Sequence, residues 1–189
     1  MSLNKTITTI SSETCIDSVT LSPSASQVIY RLSRQYNPFG TPHTASLWIS
    51  SLTAGSKSRQ LTSGEYNDSS PVWSMDENAV YFLSNRNTED SNTGPVKIWA
   101  LPLKTGGEAH EISSTKSKSP IGSFWLSPDG QHIAYTAVRD QTDEEKRRDE
   151  EKDDAIVSGD IRHNAQLWLL NIETGQARRL TLGYKDSWH

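Results

Sequence analysis

The sequence predicts an all-β fold made of three repeated four-stranded units, and three observations predict it. First, one anchor recurs: Leu21-Ser22-Pro23, Trp73-Ser74-Met75 and Leu126-Ser127-Pro128, with the serines 52 and 53 residues apart. Second, each anchor leads through a turn into a strand-like run, namely Gln27–Tyr30, Ala79–Leu83 and His132–Thr136. Third, Leu47-Trp48, Ile98-Trp99 and Leu167-Trp168 are each followed, 13 or 14 residues on, by Leu61-Thr62, Ile112-Ser113 or Leu180-Thr181. Four short strands in about 40 to 50 residues is the signature of a propeller blade. The expected architecture is therefore a partial β-propeller of about three blades. A β-sandwich is the alternative, and three matching anchors in three units weigh against it.

The elements follow in chain order. Residues 1–17 form an N-terminal segment whose Ile7–Ser11 stretch sits where a blade's outermost strand would sit. Residues 18–62 make the first blade, 68–113 the second and 119–181 the third. In the third blade the first reversal is Ser127-Pro128-Asp129-Gly130, where Pro presets φ and Asp-Gly tolerates a tight turn. The reversal before the last strand holds Thr53-Ala54-Gly55, Lys104-Thr105-Gly106-Gly107 or Glu173-Thr174-Gly175-Gln176, all hairpin compositions. The Leu-Trp anchors should point into the packing between blades. Residues 182–189 repeat the lead-in Ser63–Ser69 and are read as the start of a fourth blade. Three blades have two open ends, each expected to present an apolar face near Trp48 or Trp168, so self-association through open blade edges is expected.

The third unit carries an insert at 140–160. Trp48 and Trp99 are 51 residues apart, whereas Trp99 and Trp168 are 69 apart. The excess is a charge run from Asp140 to Asp154 with nine acids and four bases. Glu144 and Arg148, Lys146 and Glu150, and Arg147 and Glu151 have the i,i+4 spacing that supports a helix, by about 0.2–0.5 kcal/mol each. A solvated, partly helical or mobile excursion from a blade loop is the expectation. Capture of a cationic peptide end by Glu144-Glu145 or Glu150-Glu151 is the sharper, less favoured reading.

Composition narrows function. Hydrophobic residues are 33% of the 189, and the net charge is −4, so no general attraction to nucleic acid or to an acidic membrane surface is expected. No run approaches the about 18 apolar residues of a membrane span. The N-terminus lacks the apolar core of a secretory signal, and Cys15 is the single cysteine, so a cytoplasmic location is expected. The Gly-x-Ser-x-Gly elbow of hydrolases is absent. His110-Glu111 is not followed by a second His, because position 114 is Ser, so the zinc-protease motif fails. His43, His110, His132, His163 and His189 are scattered and read as surface or strand residues. No catalytic, cofactor-binding or metal-binding residue is assigned, and no cofactor is expected.

Leu126–Gly130, Leu167–Gly175 and Arg178–Thr181, with the insert, carry a resemblance that covers roughly residues 18–189. The sequence resembles the N-terminal propeller of the prolyl oligopeptidase family of serine peptidases, nearest its acylaminoacyl-peptidase and dipeptidyl-peptidase-five branch. TolB-like and WD-like propellers share the repeat. The resemblance implies a parent in which the propeller precedes an α/β-hydrolase domain and gates access of peptide substrates to it. The hydrolase domain would hold the catalytic triad, so no family residue transfers to a position here, and the chain by itself is expected to be non-catalytic. The rival readings are a propeller used as a protein-interaction scaffold and a TolB-like binding protein.

Overall fold

The computed structural model describes residues 13–35, 40, 42–86, 94–113, 119–138, 147 and 165–181. Ile7–Ser11, the lead-in 182–189 and, apart from Arg147, the insert 140–160 lie outside these. Twelve strands form three antiparallel sheets, each in simple meander order. The first sheet holds β1 (Thr14–Leu21), β2 (Gln27–Arg34), β3 (Ala45–Ser51) and β4 (Arg59–Gln60). The second holds β5 (Ser69–Trp73), β6 (Ala79–Ser84), β7 (Lys97–Pro102) and β8 (His110–Glu111). The third holds β9 (Ile121–Leu126), β10 (His132–Val138), β11 (Ala165–Asn171) and β12 (Ala177–Arg179).

The anchors recur because each performs the same hydrogen-bonding task. The hydroxyls of Ser22, Ser74 and Ser127 accept the backbone N–H of Gln27, Ala79 and His132 at 3.2, 2.9 and 2.9 Å. The backbone N–H of each serine donates in turn to the carbonyl of that same residue. A serine therefore closes both sides of the first reversal. Within that turn, Ala25, Glu77 and Gly130 occupy one repeat position, and all three have positive φ (53°, 57° and 70°). Only the third unit places there the residue that adopts this conformation without steric cost.

The third anchor answers a different need. The fourth strands are two or three residues long, so one N–H near the start of each third strand lies just beyond the last ladder pair. Thr62, Ser113 and Thr181 accept that N–H from Leu47, Ile98 and Leu167 at 3.0, 3.3 and 2.9 Å. A buried N–H left unpaired costs about 1–3 kcal/mol, which accounts for the hydroxyl in the first two units, where the bond is buried.

The sheets stack face to face with the second in the middle. Successive side chains on a strand point to opposite faces, and the two faces of the second sheet enter two different cores. Trp73, Val80, Phe82, Trp99 and Leu101 pack with Ile29, Leu47 and Ile49 of the first sheet. Tyr81, Leu83, Ile98 and Ala100 pack with Ile121, Phe124, Ile133, Tyr135, Ala137 and Leu170 of the third. The innermost strand β5 contacts both β1 and β9, so the first strands of the units lie side by side. A sandwich would cover only one face of the middle sheet, and both are covered.

Of the Leu-Trp anchors, Leu47 and Trp99 point into the first core, and Ile98 and Trp168 into the second. Trp48 stacks on Tyr30 on the outward side of the first sheet, as expected for an open end. Trp168 does not lie on the open face of the third sheet. It stacks on Tyr135 and packs against the core shared with the second sheet. The strand alternation places its neighbours Leu167 and Leu169 outward instead, because a shift of one residue reverses the face.

Candidate functional site

In each unit the second-to-third strand connection and the link to the following unit leave from the same end of the sheets. The long insert leaves from this end, between Val138 and Ala165, which pair directly across β10 and β11. Loops at one end of a rigid scaffold are where binding residues concentrate, so this end is the candidate site.

The described part of this end is a polar stitch between the first and second sheets. The link Tyr66–Asp68 lies along the start of β3, with a parallel bridge between Ala45 and Asn67. Asp68 is fully buried, and its carboxylate accepts two hydrogen bonds from Nη2 of Arg86, to Oδ1 at 2.8 Å and Oδ2 at 2.7 Å. The Arg86 side chain is only 14% exposed. Its Nε donates to the Ser84 hydroxyl at 3.0 Å, and its guanidinium carbon lies 5.1 Å from the ring centroids of Tyr66, Phe82 and Trp99. Arg is suited to such a place, being planar, always charged and weakly hydrated. From the first sheet, Arg31 donates to the Asp68 carbonyl at 3.0 Å and to Asn67 Oδ1 at 2.8 Å. It also pairs with Asp17.

This arrangement ties the link Tyr66–Asp68 to both the first and the second sheet. The Asp68 carboxylate is neutralised by Arg86, so it offers no general base. Among the described residues no group of three or more His, Cys, Asp or Glu could hold a metal ion. His110 lies on the exposed edge strand β8 and His132 opens β10, far apart in the repeat. His163 and His189 lie outside the described residues. Cys15 lies on β1 with its Sγ 3.5 Å from the Ser33 hydroxyl.

Three carboxylates are lowered at the opposite end, in the first turns. Hydrogen bonds from the Ser74 hydroxyl and the Asn78 N–H hold Asp76 below the usual carboxylate range. The Ser127 hydroxyl and the Gln131 N–H do the same for Asp129. The first unit has Ser24 at the equivalent position. There Glu77 of the second sheet reaches across and accepts the Ser24 N–H at 2.5 Å, and its carboxyl is lowered chiefly by Ser24. These are turn locks at exposed positions, and they form no catalytic pair.

No family model matches the sequence, and no curated protein matches it. Solved structures do. Acylaminoacyl peptidase from Pyrococcus horikoshii superposes with a TM-score of 0.61 over 91% of this chain, at 16% identity. The β-propeller domain of the Trilobed protease from Pyrococcus furiosus does so with a TM-score of 0.54 over 90%, at 13% identity. The three sheets are blades of a β-propeller. A putative TolB from Agrobacterium tumefaciens has the same blade arrangement, with a TM-score of 0.50 over 87% of this chain, at 14% identity. The chain spans 26% of the length of the acylaminoacyl peptidase, 44% of the Trilobed protease domain and 64% of the putative TolB. At these identities the likeness is one of fold. The stitch thus joins two blades through Arg31 and the link Tyr66–Asp68, at the end from which the long connections leave.

Proposed function

We propose that the chain is propeller from a serine peptidase of the prolyl oligopeptidase type, in which it screens the active site of an α/β-hydrolase domain and limits substrates to short peptides. The observation that supports this reading is the blade-for-blade likeness to the acylaminoacyl peptidase over 91% of the chain, which agrees with the resemblance of Leu126–Gly130 and Leu167–Thr181 to that family. The blades contribute a wall and a mouth, and the hydrolase domain contributes the nucleophile, base and oxyanion donors. We assign the mouth to the end that carries the stitch and the insert. The location we assign is the cytoplasm.

Sequencing the native transcript past the codon for His189 tests this reading. Four or five further repeats followed by Gly-x-Ser-x-Gly are expected. Further repeats ending in a stop codon would overturn it in favour of a TolB-like binding scaffold. The match to 64% of the putative TolB's own length supports that second reading. In either case the 189 residues alone should not hydrolyse aminoacyl or dipeptidyl chromogenic amides. Turnover abolished by a serine-directed fluorophosphonate would contradict this.

A further inference from the structure

The first turns of the three blades need an anion, and they obtain it in two different ways. In the second and third blades the turn supplies its own. Asp76 accepts the Ser74 hydroxyl and the Asn78 N–H, and Asp129 accepts the Ser127 hydroxyl and the Gln131 N–H. Each carboxylate thereby holds the serine that closes the reversal. The first blade carries Ser24 at this position, and its turn, Ser22-Pro23-Ser24-Ala25-Ser26, contains no charged residue. There the hydroxyls contact one another, Ser22 with Ser24 at 3.3 Å and Ser24 with Ser26 at 2.8 Å.

The missing anion comes from the next blade. The Glu77 carboxylate accepts the Ser24 N–H, and the Ser24 and Ser22 hydroxyls also favour its charged form. Glu77 holds a positive φ of 57°, a left-handed conformation that disfavours side chains. The third blade has Gly130 at the same repeat position. That glycine follows a turn that already owns Asp76, and it lies against Met75 of that turn, whose Cγ is 3.6 Å from where a Cβ would stand. This position therefore carries an acid where the preceding turn lacks an aspartate, and a glycine where the preceding turn has one.

We propose that Glu77 completes the turn of the first blade from the second, and so latches these two blades to each other. The latch closes the interface at the end opposite Arg31, which ties the first blade to the link Tyr66–Asp68. The charged groups around Glu77 are few. Asp76 precedes it on its own turn, and the turn between β7 and β8 carries Lys104, which attracts its carboxylate, and Glu108. The turn of the first blade carries none. A second carboxylate at position 24 would compete with Glu77 for the Ser22 hydroxyl and repel it, since like charges sharing a site disfavour the ionised form of each. The proposal rests on the turns alone and does not depend on the peptidase reading.

A double-mutant cycle on the whole chain tests it. Ser24→Asp gives the first turn an aspartate of its own, and Glu77→Gly gives the second blade the glycine of the third. Urea unfolding at pH 7 yields the folding equilibrium constant of the parent, both single variants and the double variant. Ser24→Asp is expected to be more favourable in the Glu77→Gly background than in the parent, by at least about threefold, because contacting residues couple and independent ones add. Carbon-13 titration of the Glu77 carboxyl gives a second reading, and its midpoint is expected to rise in Ser24→Asp. A smaller difference between the two backgrounds would overturn the proposal. So would a Glu77 midpoint that Ser24→Asp leaves unmoved, which would mean that the second blade's own groups hold the carboxylate.

Discussion

Replacing Arg86 with methionine removes the charge that neutralises a fully buried carboxylate while keeping much of the side-chain volume. The magnitude follows from burial. Asp68 is 0% exposed and Arg86 14%, so solvent screens the pair little. Removing one partner of a buried ion pair costs about 3–5 kcal/mol, because the other charge is left unpaired. Loss of the guanidinium over three aromatic rings adds to this, at about 0.5–2 kcal/mol for a cation–π contact. Replacing both residues, in Asp68→Leu with Arg86→Met, removes the unpaired charge as well. The double variant should therefore lose less than Arg86→Met alone, although the Asp68 carbonyl still holds Arg31 in both. Urea unfolding followed by Trp fluorescence measures each variant. A loss below about 1 kcal/mol for Arg86→Met would place the pair among exposed surface bridges and refute the reasoning. A double variant worse than the single one would refute the claim that the penalty lies in an uncompensated charge.

Other outcomes are expected from the turns and the loop. Ala25→Gly should stabilise by about 0.5–1 kcal/mol, because it relieves a left-handed alanine, whereas Gly130→Ala should cost about 1 kcal/mol; thermal unfolding of both checks the pair. The lowered carboxylates of Asp76 and Asp129 contribute stability that is present above about pH 4 and lost as pH falls through their folded-state values. An Asp76→Asn, Asp129→Asn double variant should therefore show a flatter decline in stability below pH 4 than the parent. Burial raises the Tyr81 and Tyr135 hydroxyls above their ordinary value, so the contribution of their neutral forms fades above about pH 10, which unfolding curves at pH 9 and 11 would detect. Deleting residues 141–152 should change stability by less than about 1 kcal/mol. Val138 and Ala165 pair directly at the base of the connection, and loop-closure entropy depends only logarithmically on length.

The blades were legible because their repeated residues do backbone work. Ser22, Ser74 and Ser127 close a turn, and Thr62, Ser113 and Thr181 cap a strand start, so each leaves a mark at fixed spacing. The fourth strands were located only by the anchors that follow them, since two or three residues show no alternation. The outward side of the third blade is carried by Leu167 and Leu169 and not by the more conspicuous Trp168, because only the alternation along the strand sets the face. The stitch was missed, although a signal for it exists. Arg34, Arg86 and Arg139 recur at 52 and 53 residues, the same spacing as the serines. The partner Asp68 sits in a link whose polar residues read as ordinary turn chemistry, and its complete burial is a tertiary fact. No periodicity reports that the Asp68 carboxylate meets Arg86, whose guanidinium lies among three aromatic rings.

The middle sheet is covered on both faces by the sheets that precede and follow it. Cross-sheet nuclear Overhauser effects test it most directly. The account predicts effects between the methyls of Ile29, Leu47 and Ile49 and the rings of Phe82 and Trp99. It equally predicts effects between the methyls of Leu83 and Ile98 and the rings of Phe124 and Tyr135. Observation of only one set, or of effects joining the first sheet directly to the Ile133 and Leu170 side of the third, would describe a sandwich and contradict the stacked blades.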